Sequence, residues 1–416
     1  LKFTENRFLM FFKIKKIIND PVYGIINIPD GLIFEIFEHP DFQRLRRISQ
    51  VGLTNYVYPG ANHTRFHHAL GAMHLCIEAL ETLRIKGIDI TKEEATGLIL
   101  AILLHDVGHG PFSHVLEHTL TGQHHESMTL AIMNKLNKEK DGALDTAIQI
   151  FSNAYPKKFL HQLVSGQLDL DRMDYLNRDS FFTGVAEGKI GYDRIIKMMT
   201  VVDNSLVVEE KGIYSVENFL MARRLMYWQV YLHKTVLASE QMLIQCLKRA
   251  SILCKSGMKF NISEHLTYFL ESKDKRTISS ELISHFLQLD DYDLWWALKQ
   301  FSKNEDPSLK FLSNALLDRR IFKIQMSKWP IEESNINEIK DDIKKKLDIT
   351  EEDASNLVFV GSESNEMYNI TKDEIMVRLK NGKVLPFSQV SDYPIGNTVV
   401  QKYFLCYPKL SYIAEV

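Results

Sequence analysis

An uninterrupted apolar run, Gly97 to Leu104, constrains the fold of this chain more than any other feature. Thr91 and Glu94 precede it with the spacing of a capping box, which predicts that a helix begins there and continues through the run. A helix that is apolar on every side is stable only inside a protein, so other helices must surround it. The run is far shorter than the ~20 residues of a membrane span, which predicts a soluble protein.

The remaining pattern predicts a mainly α protein with a smaller C-terminal α+β module. Turn residues and short apolar runs before residue 40 predict a hairpin. Helical periodicity follows at Arg65–Gly87, from His125 to about Asn137, at Lys158–Ser180 and from Glu217 to about Lys255. After about Pro330 a charged helix, Glu338–Leu347, precedes strand-like segments. We therefore predict a first domain at 1–240 that includes the hairpin, a helical extension at 241–330 and the α+β module at 331–416.

Charge and cysteine content exclude several classes of protein. Fifty Lys and Arg balance fifty-three Asp and Glu, so no strong overall field attracts nucleic acid or anionic lipid. No membrane partner is expected; a nucleic-acid partner is not predicted, although a local basic pocket leaves it open. The cysteines have no CxxC spacing, which argues against a zinc ribbon and a disulfide framework. We predict buried reduced thiols in a cytoplasmic protein, at Cys76, Cys246, Cys254 and Cys406.

Histidine is distributed unevenly along the chain. Ten of the fifteen histidines lie between His63 and His125. Neutral imidazole is the commonest metal ligand, and it is also the usual proton-transfer group near neutral pH. The cluster therefore indicates a metal site or a proton-transfer site.

Four residues in this region form the candidate metal site: His68, the pair His105-Asp106, and Asp171. They lie on three separate predicted helices, and facing helices commonly build metal sites inside bundles. Two imidazoles and two carboxylates suit Mn, Mg, Fe or Zn, with coordination positions left for water and a phosphate oxygen. Asp106 follows a buried helix, where an unpaired carboxylate would be costly. Hydrogen-bonded structural residues are the alternative interpretation.

Several motifs in a fixed order carry a resemblance to a known family. They are Ile18-Asn19-Asp20-Pro21, Phe42-Gln43-Arg44-Leu45-Arg46, Tyr58-Pro59-Gly60-Ala61, His109-Gly110-Pro111-Phe112-Ser113-His114 and Asp169 to Asp179. On these residues the chain resembles the HD-domain superfamily. Within it, the chain is similar to the deoxynucleoside triphosphate triphosphohydrolases, which include sterile-alpha-motif/HD enzymes and bacterial dGTPase-like proteins. The resemblance covers roughly Lys16 to Lys234 and thins beyond residue 240.

The resemblance implies a helical HD core in which His68, His105, Asp106 and Asp171 bind a divalent metal ion. It also implies cleavage between the 5′ oxygen and the α-phosphorus of a deoxynucleoside triphosphate (dNTP). The products would be a deoxynucleoside and inorganic triphosphate, with dGTP one candidate substrate. His125 matches the family's catalytic histidine, a proton donor to the departing 5′ oxygen. Two further histidines match positions that line the phosphates, namely His109 and His114.

The implied substrate residues lie on two predicted helices and in two loops. Asp171, Tyr175 and Asp179 share one helical face, so metal, sugar ring and sugar hydroxyl can be met in succession. Arg223, Tyr227, Tyr231 and Lys234 share a face of the long predicted helix, where an aromatic stripe alone would more often be core. The resemblance makes Tyr231 the wall that excludes a ribose 2′-hydroxyl. It implies phosphate contacts at Arg65, Arg172, Arg223 and Lys234 and sugar contacts at Gln50 and Val51.

A regulatory site is a further implication of the resemblance. In the nucleotide-activated members, five matching positions bind an activating guanine nucleotide between subunits, which implies a dimer or tetramer here. The matching residues are Lys16, Asn19, Glu38, Gln43 and Arg46. Glu38 stands where the family has an aspartate. A solvated basic face from Phe42 to Arg47 is the alternative interpretation.

Two other functions remain open on the sequence. One is an HD phosphohydrolase that acts on a different nucleotide or phosphoester. Four basic candidates for phosphate contact favour a triphosphate over a monophosphate in that comparison. The other is a metal-stabilised module that binds nucleotides or nucleic acid without turnover. Such a module would need neither the complete ligand set nor His125.

Overall fold

Helices dominate the chain, and its strands form three small sheets. The computed structural model describes residues 12–113, 117, 119, 122–272, 277–366, 374–392 and 399–409. The predicted class, mainly α with a C-terminal α+β part, is confirmed. No helix in these described ranges combines the length and the apolar character needed to cross a membrane.

The N-terminal half begins with the predicted hairpin, formed by β1 (Ile14–Asp20) and β2 (Gly24–Pro29) in antiparallel pairing. The helices that follow are α1 (Leu32–Glu38), α2 (Pro40–Gln43), α3 (Arg65–Ile85), α4 (Lys92–Leu104), α5 (His125–Glu139), α6 (Asp145–Phe151), α7 (Lys158–Val164), α8 (Leu170–Thr183) and α9 (Tyr192–Met198). The helical segments predicted in this half are therefore present, with ends shifted by a few residues.

A second hairpin, which the sequence analysis did not predict, follows α9. It consists of β3 (Met199–Val202) and β4 (Ser205–Glu209). The next helices are α10 (Ile213–Met226), α11 (Lys234–Lys255), α12 (Glu264–Glu271), α13 (Ser280–Gln288), α14 (Asp291–Phe301) and α15 (Pro307–Leu317).

The C-terminal region contributes strands to two sheets. Its elements are β5 (Lys323–Ser327), α16 (Glu333–Leu347), α17 (Glu351–Leu357), β6 (Phe359–Glu366), β7 (Met376–Arg378), β8 (Val384–Pro386), α18 (Phe387–Val390) and β9 (Val399–Tyr407). β9 pairs with β5 and β6, and β7 joins β4 in parallel. Both sheets thus include strands from before and after Pro330, and the domain boundaries at 240 and 330 stay a prediction.

The core is built around α4, as its apolar run requires. Every residue from Gly97 to Leu104 is buried, and the helix packs between α3 and α6. The predicted capping box is present, because Glu94 N–H donates to Thr91 Oγ1 at 3.1 Å and Thr91 N–H donates to Glu94 Oε2 at 2.9 Å. All four cysteines are buried free thiols, as predicted.

A glycine allows α3 and α8 to approach closely. A Cβ atom on Gly71 would overlap the side chains of Asp174 and Arg178 on α8. Only a residue without a side chain fits at this crossing. The close approach brings the first turns of α3 and α8 together, and each of those turns carries a predicted metal ligand.

The predicted continuous helix from Glu217 to about Lys255 is wrong. A π-helical turn, Tyr227–Tyr231, follows α10, and the chain then becomes extended at His233 (φ −60°, ψ 128°). The His233 ring accepts a hydrogen bond from Thr235 N–H at 3.2 Å and so caps the start of α11. Lys234 therefore does not continue the helical face that carries Arg223 and Tyr227.

Candidate functional site

Three of the predicted metal ligands converge from distant parts of the chain. His68 lies in the first turn of α3, His105 directly follows α4, and Asp171 lies in the first turn of α8. The Nε2 atoms of the two histidines are 3.1 Å apart. Asp171 Oδ1 lies 3.1 Å from His68 Nε2 and 3.5 Å from His105 Nε2. The three donor atoms thus surround one position.

The hydrogen bonds behind the two rings decide which nitrogens face that position. His68 Nδ1 lies 2.7 Å from Asp174 Oδ2, and His105 Nδ1 lies 2.7 Å from the carbonyl oxygen of Ile102. Each oxygen accepts a hydrogen bond from Nδ1, so both Nε2 atoms are directed at the shared position. A proton or a metal ion on that side would relieve the repulsion between the two nitrogens.

The electrostatics of the cluster show the same demand for positive charge. Burial opposes a charged ring, but hydrogen bonds with Asp171 and Asp174 outweigh it and raise the pKa of His68 to about 10. Burial would raise the pKa of Asp171, but the hydrogen bonds with His105 and His68 hold that pKa well below its ordinary value. The nitrogen and oxygen donors of these residues fit a divalent ion such as Mn, Fe, Mg or Zn.

Asp106 lies beside this cluster and forms an ion pair with Arg65. Its Oδ1 is 3.4 Å from His105 Nε2, and its Oδ2 is 3.5 Å from His68 Nε2. Arg65 also donates a hydrogen bond to Asp106 Oδ2. Burial opposes ionisation of Asp106, but Arg65 and the neighbouring imidazoles hold its pKa well below the ordinary range. All four predicted ligands are therefore gathered at one place, with Asp106 oriented partly toward Arg65.

A buried ionic network supports the cluster from behind. Arg178 donates to both oxygens of Asp174, at 2.9 and 3.0 Å, and to Asp20 Oδ2 at 2.7 Å. Asp20 ends β1, so the N-terminal hairpin is connected through Arg178 and Asp174 to the metal-facing ring of His68. The sequence analysis did not single out Asp174 as a partner of His68. Its position three residues after Asp171, on the same side of α8, was the available signal.

A second group of titratable side chains lies next to the metal cluster. The rings of His109 and His125 stack with centroids 4.1 Å apart, and Glu117 Oε1 lies 2.9 Å from His125 Nδ1. His109 and Glu117 are buried, whereas the His125 side chain is 25% exposed. The sequence analysis missed Glu117, because only the fold brings it to His125. The predicted phosphate residue His114 lies outside the described residues.

A cleft of about 970 Å³ is lined by residues of α5 and α7, among them Glu126, the residue after His125. Arg172 and Arg223 line the cleft. Arg172 is bound to the carbonyl oxygen of Gly166 and to the Asp169 carboxylate. The Nε and Nη1 atoms of Arg223 are buried and have no hydrogen-bond partner among the described residues, so a ligand with anionic oxygens would satisfy them.

Two other predicted phosphate residues lie in different surroundings. Arg65 is buried, and it donates to Ser113 Oγ at 2.9 Å in addition to its bond with Asp106. Lys234 is exposed at the first position of α11. The structure therefore holds Arg65 at the metal cluster, and it leaves Lys234 outside the continuous face predicted for it.

Three of the predicted sugar residues, Tyr175, Asp179 and Tyr231, lie together where α8 faces the π-helical turn. The Tyr231 hydroxyl donates to Asp179 Oδ2 at 2.6 Å, and the Tyr175 and Tyr231 rings meet edge to face at 6.0 Å. Gln50 is buried, and its Oε1 has no hydrogen-bond partner within the described ranges; Val51 follows it and is half-buried. The aromatic stripe therefore contacts a buried carboxylate, that of Asp179, and does not pack only against apolar core.

Four of the five predicted activator residues form two pairs, and the fifth, Asn19, lies on the same strand as Lys16. Lys16 Nζ lies 2.9 Å from Glu38 Oε1, with both side chains 47% exposed. Arg46 donates to Gln43 Oε1 at 2.6 Å, and its guanidinium lies 3.6 Å from the Phe66 ring centroid. Asn19 lies three residues after Lys16 on β1. These contacts leave the activator site a prediction.

The alternative for this segment, a solvated basic face, does not fit every residue in it. Arg44 is fully buried, and its Nε donates to the carbonyl oxygen of Leu289 at 2.8 Å. Arg47 is paired with Asp290. The segment is thus anchored to the helices that follow residue 280.

Two sequence families match this chain. The HD domain family matches residues 65–179, a range that contains all four predicted metal ligands. The HD associated region family matches residues 190–260.

Similar proteins are found in bacteria and in eukaryotes. An uncharacterised protein of Bacillus subtilis, YwfO, is 32% identical over 317 residues, which are 74% of this chain and 71% of that protein. A "Deoxynucleoside triphosphate triphosphohydrolase SAMHD1 homolog" of Dictyostelium discoideum is 30% identical over 263 residues, 58% of this chain. The match spans about half, 51%, of that homolog. A crystal structure of a phosphohydrolase from Bacteroides thetaiotaomicron has a TM-score of 0.92 at 51% identity, covering 95% of this chain and 100% of that one.

Proposed function

Because this chain belongs to the HD-domain superfamily, which includes the dNTP triphosphohydrolases, we propose that it hydrolyses a dNTP to a deoxynucleoside and inorganic triphosphate. One observation carries the proposal. The donor atoms of His68, His105 and Asp171 surround one position, and the next residue, Arg172, lines a cleft that also contains the unsatisfied guanidinium of Arg223. A cation and a polyanion can therefore be held side by side.

His68, His105, Asp106 and Asp171 would hold the divalent cation. When bound, such an ion activates a water nucleophile and offsets phosphate charge. The chain's own contribution is to keep the ligands oriented. Asp174 fixes the His68 ring, the Ile102 carbonyl fixes the His105 ring, and the burial of both rings excludes bulk water from behind the site.

His125 is the proposed proton donor to the departing 5′ oxygen. Glu117 Oε1 lies 2.9 Å from Nδ1 of His125 and holds the ring in place. The opposite nitrogen, Nε2, is the proposed donor of the proton to the leaving oxygen. His109 stacks on His125 and limits its rotation, and His109 and His114 are the proposed phosphate-lining histidines.

Several guanidinium groups favour a triphosphate as the substrate. The proposed phosphate contacts are Arg65, Arg172, Arg223 and Lys234. Nε and Nη1 of Arg223 are the donors that have no partner among the described residues. Arg65 and Arg172 are already paired with Asp106 and Asp169, so Arg223 and Lys234 carry the charge that the additional phosphates of a triphosphate would offset. The proposed sugar contacts are Gln50, Val51, Tyr175, Asp179 and Tyr231. We further propose that Lys16, Asn19, Glu38, Gln43 and Arg46 bind an activating nucleotide in a dimer or tetramer.

Product analysis tests the proposed function. The protein is incubated with each dNTP and Mn²⁺, and the products are separated by anion-exchange chromatography. The expected products are the deoxynucleoside and inorganic triphosphate, formed in equal amounts. Release of orthophosphate with dNDP, or of pyrophosphate with dNMP, would place the cleavage at a different bond and overturn the proposal.

A further inference from the structure

His63 belongs to neither group of residues described at the metal site, yet it is completely enclosed. Its side chain is 0% exposed, and its ring stacks on Phe182 with centroids 4.5 Å apart and an interplanar angle of 14°. Its carbonyl oxygen accepts a hydrogen bond from Gln50 N–H at 3.0 Å. The backbone of His63 is therefore fixed to the segment that carries the proposed sugar contact Gln50.

The ring of His63 continues a chain of short hydrogen bonds. Its Nε2 lies 2.6 Å from Asp179 Oδ1, and the Tyr231 hydroxyl lies 2.6 Å from Asp179 Oδ2. Burial and the Asp179 carboxylate raise the pKa of Tyr231 well above its ordinary value. The phenol therefore keeps its proton and donates a hydrogen bond to Asp179. Asp179 is itself buried, and each of its two oxygens thus has one donor.

The other ring nitrogen of His63, Nδ1, does not take part in this chain of hydrogen bonds. Nδ1 of His63 is buried and has no hydrogen-bond partner among the described residues. Nε2 is therefore the ring nitrogen that donates, because Asp179 offers it an acceptor and Nδ1 faces none there. The ring is consequently held by the bond to Asp179 and by the stack on Phe182.

We infer that His63 is a positioning residue for sugar selection: it fixes Asp179, and Asp179 in turn fixes Tyr231 against the position of the 2′ carbon. This inference rests on the proposed function, in which Tyr231 excludes the 2′-hydroxyl. Without the donor on His63, one oxygen of Asp179 is unpaired inside the protein. The carboxylate then reorients, and Tyr231 loses its fixed acceptor.

Two substitutions at one position separate hydrogen bonding from packing. His63→Phe keeps an aromatic ring on Phe182 but removes the donor to Asp179. His63→Gln removes the aromatic stack but supplies an amide donor of similar reach. Tyr231→Phe, which changes only one hydroxyl group, removes the donor at the other end of the chain, and the double variant His63→Phe/Tyr231→Phe removes both.

Two measurements are made on each full-length variant. Calorimetric titration gives the dissociation constants of dATP and ATP in the presence of EDTA, which prevents turnover. Steady-state assays with Mn²⁺ give kcat and KM for the same two nucleotides. We expect the wild-type preference for dATP over ATP to fall about tenfold in His63→Phe, chiefly through KM, and to stay within about threefold in His63→Gln. The double variant should lose no more preference for dATP than the single variant that has the larger loss.

The outcomes distinguish this inference from the proposed function. An unchanged preference in His63→Phe, multiplicative losses in the double variant, or equal wild-type affinity for dATP and ATP would each overturn the inference. If His63→Phe does not fold, loss of preference in Tyr231→Phe together with a preference retained within about threefold in His63→Gln supports the inference. An unchanged preference in Tyr231→Phe rejects it. If no triphosphate forms but the binding preferences change as expected, the proposed reaction fails while the positioning role stands.

Discussion

Single hydrogen-bond acceptors behind His68 and His105 orient the two imidazoles of the candidate metal site. Asp174 and the Ile102 carbonyl hold a proton on Nδ1 of His68 and of His105. The opposite nitrogens then face Asp171 and each other. At the scale of the residue, the cluster is therefore prepared for a cation before any substrate arrives. Two substitutions test the separate parts of this arrangement.

Asp171→Asn should abolish both metal binding and turnover. The amide retains the size of the side chain but removes the negative charge that faces both Nε2 atoms, so we expect kcat to fall by at least ~10³. Elemental analysis of the purified protein measures the metal. Asp193→Asn, an exposed residue of α9, is the matched control and should retain both properties. Full metal occupancy in Asp171→Asn would remove Asp171 from the ligand set.

His125→Ala should reduce turnover without removing the metal. If His125 donates the proton to the 5′ oxygen, kcat falls by ~10²–10⁴ while KM changes little. The neighbouring His124, whose side chain is 72% exposed, provides the control His124→Ala, which should keep nearly full activity. A tenfold or smaller loss of kcat in His125→Ala would assign the proton transfer to a different group.

Helix crossings and helix ends bring the site together at the scale of the element. α3 and α8 meet at Gly71, α4 ends at the metal cluster, and the π-helical turn after α10 carries Tyr231 to Asp179. The C-terminal sheets are attached to the same helices, since β7 pairs with β4 and Glu240 of α11 lies near Glu363 of β6. A substitution in one helix or strand should therefore alter the position or stability of the element packed against it.

Gly71→Ala should destabilise the protein and weaken the metal site together. The added methyl group overlaps Asp174 and Arg178, so α3 must move away from α8, at a cost of roughly 1–3 kcal/mol of unfolding free energy. Chemical denaturation measures the loss, and metal titration measures the site. Gly191→Ala is the matched control, because no atom lies within 4 Å of the added group. Equal stability of the two variants would show that the crossing tolerates a side chain.

Glu240→Gln should stabilise the protein progressively as the pH rises. Burial, together with the Glu363 carboxylate, raises the pKa of Glu240 from 4.5 to about 8 in the folded state. Between these values the folded protein keeps a proton that the unfolded chain releases, so wild-type stability decreases as the pH increases. The variant lacks this loss, and its Tm advantage should grow from pH 5 to pH 8. A Tm difference that is independent of pH would contradict the raised pKa; Glu338→Gln on α16 controls for the loss of one exposed carboxyl.

At the scale of the whole molecule, the sequence predicts the helical core, and the structure brings the four predicted metal ligands close together. The apolar run and the capping box define α4, and helical periodicity places His68 near a helix start and Asp171 within a helical segment. Three supporting residues were not predicted in their roles: Asp174 behind His68, Glu117 beside His125 and His63 beside Asp179. A hydrogen-bond partner is selected by tertiary packing, which leaves no periodic signal in the sequence.

The backbone irregularities were missed for a related reason. Residues 227–233 contain neither proline nor glycine, so nothing local marks the π-helical turn or the extended His233. The β3–β4 hairpin is also short, and it gains pairing from β7, more than 160 residues later in the chain. Local propensity cannot predict elements that depend on such distant contacts.

The position of an oxygen isotope tests the central claim most directly. Turnover of a dNTP with Mn²⁺ in water enriched in ¹⁸O is followed by mass spectrometry of both products. Attack of water on the α-phosphorus with loss of the 5′ oxygen predicts one ¹⁸O atom in inorganic triphosphate and none in the deoxynucleoside. Label in the deoxynucleoside, or in orthophosphate or pyrophosphate released instead of triphosphate, would contradict the proposed reaction.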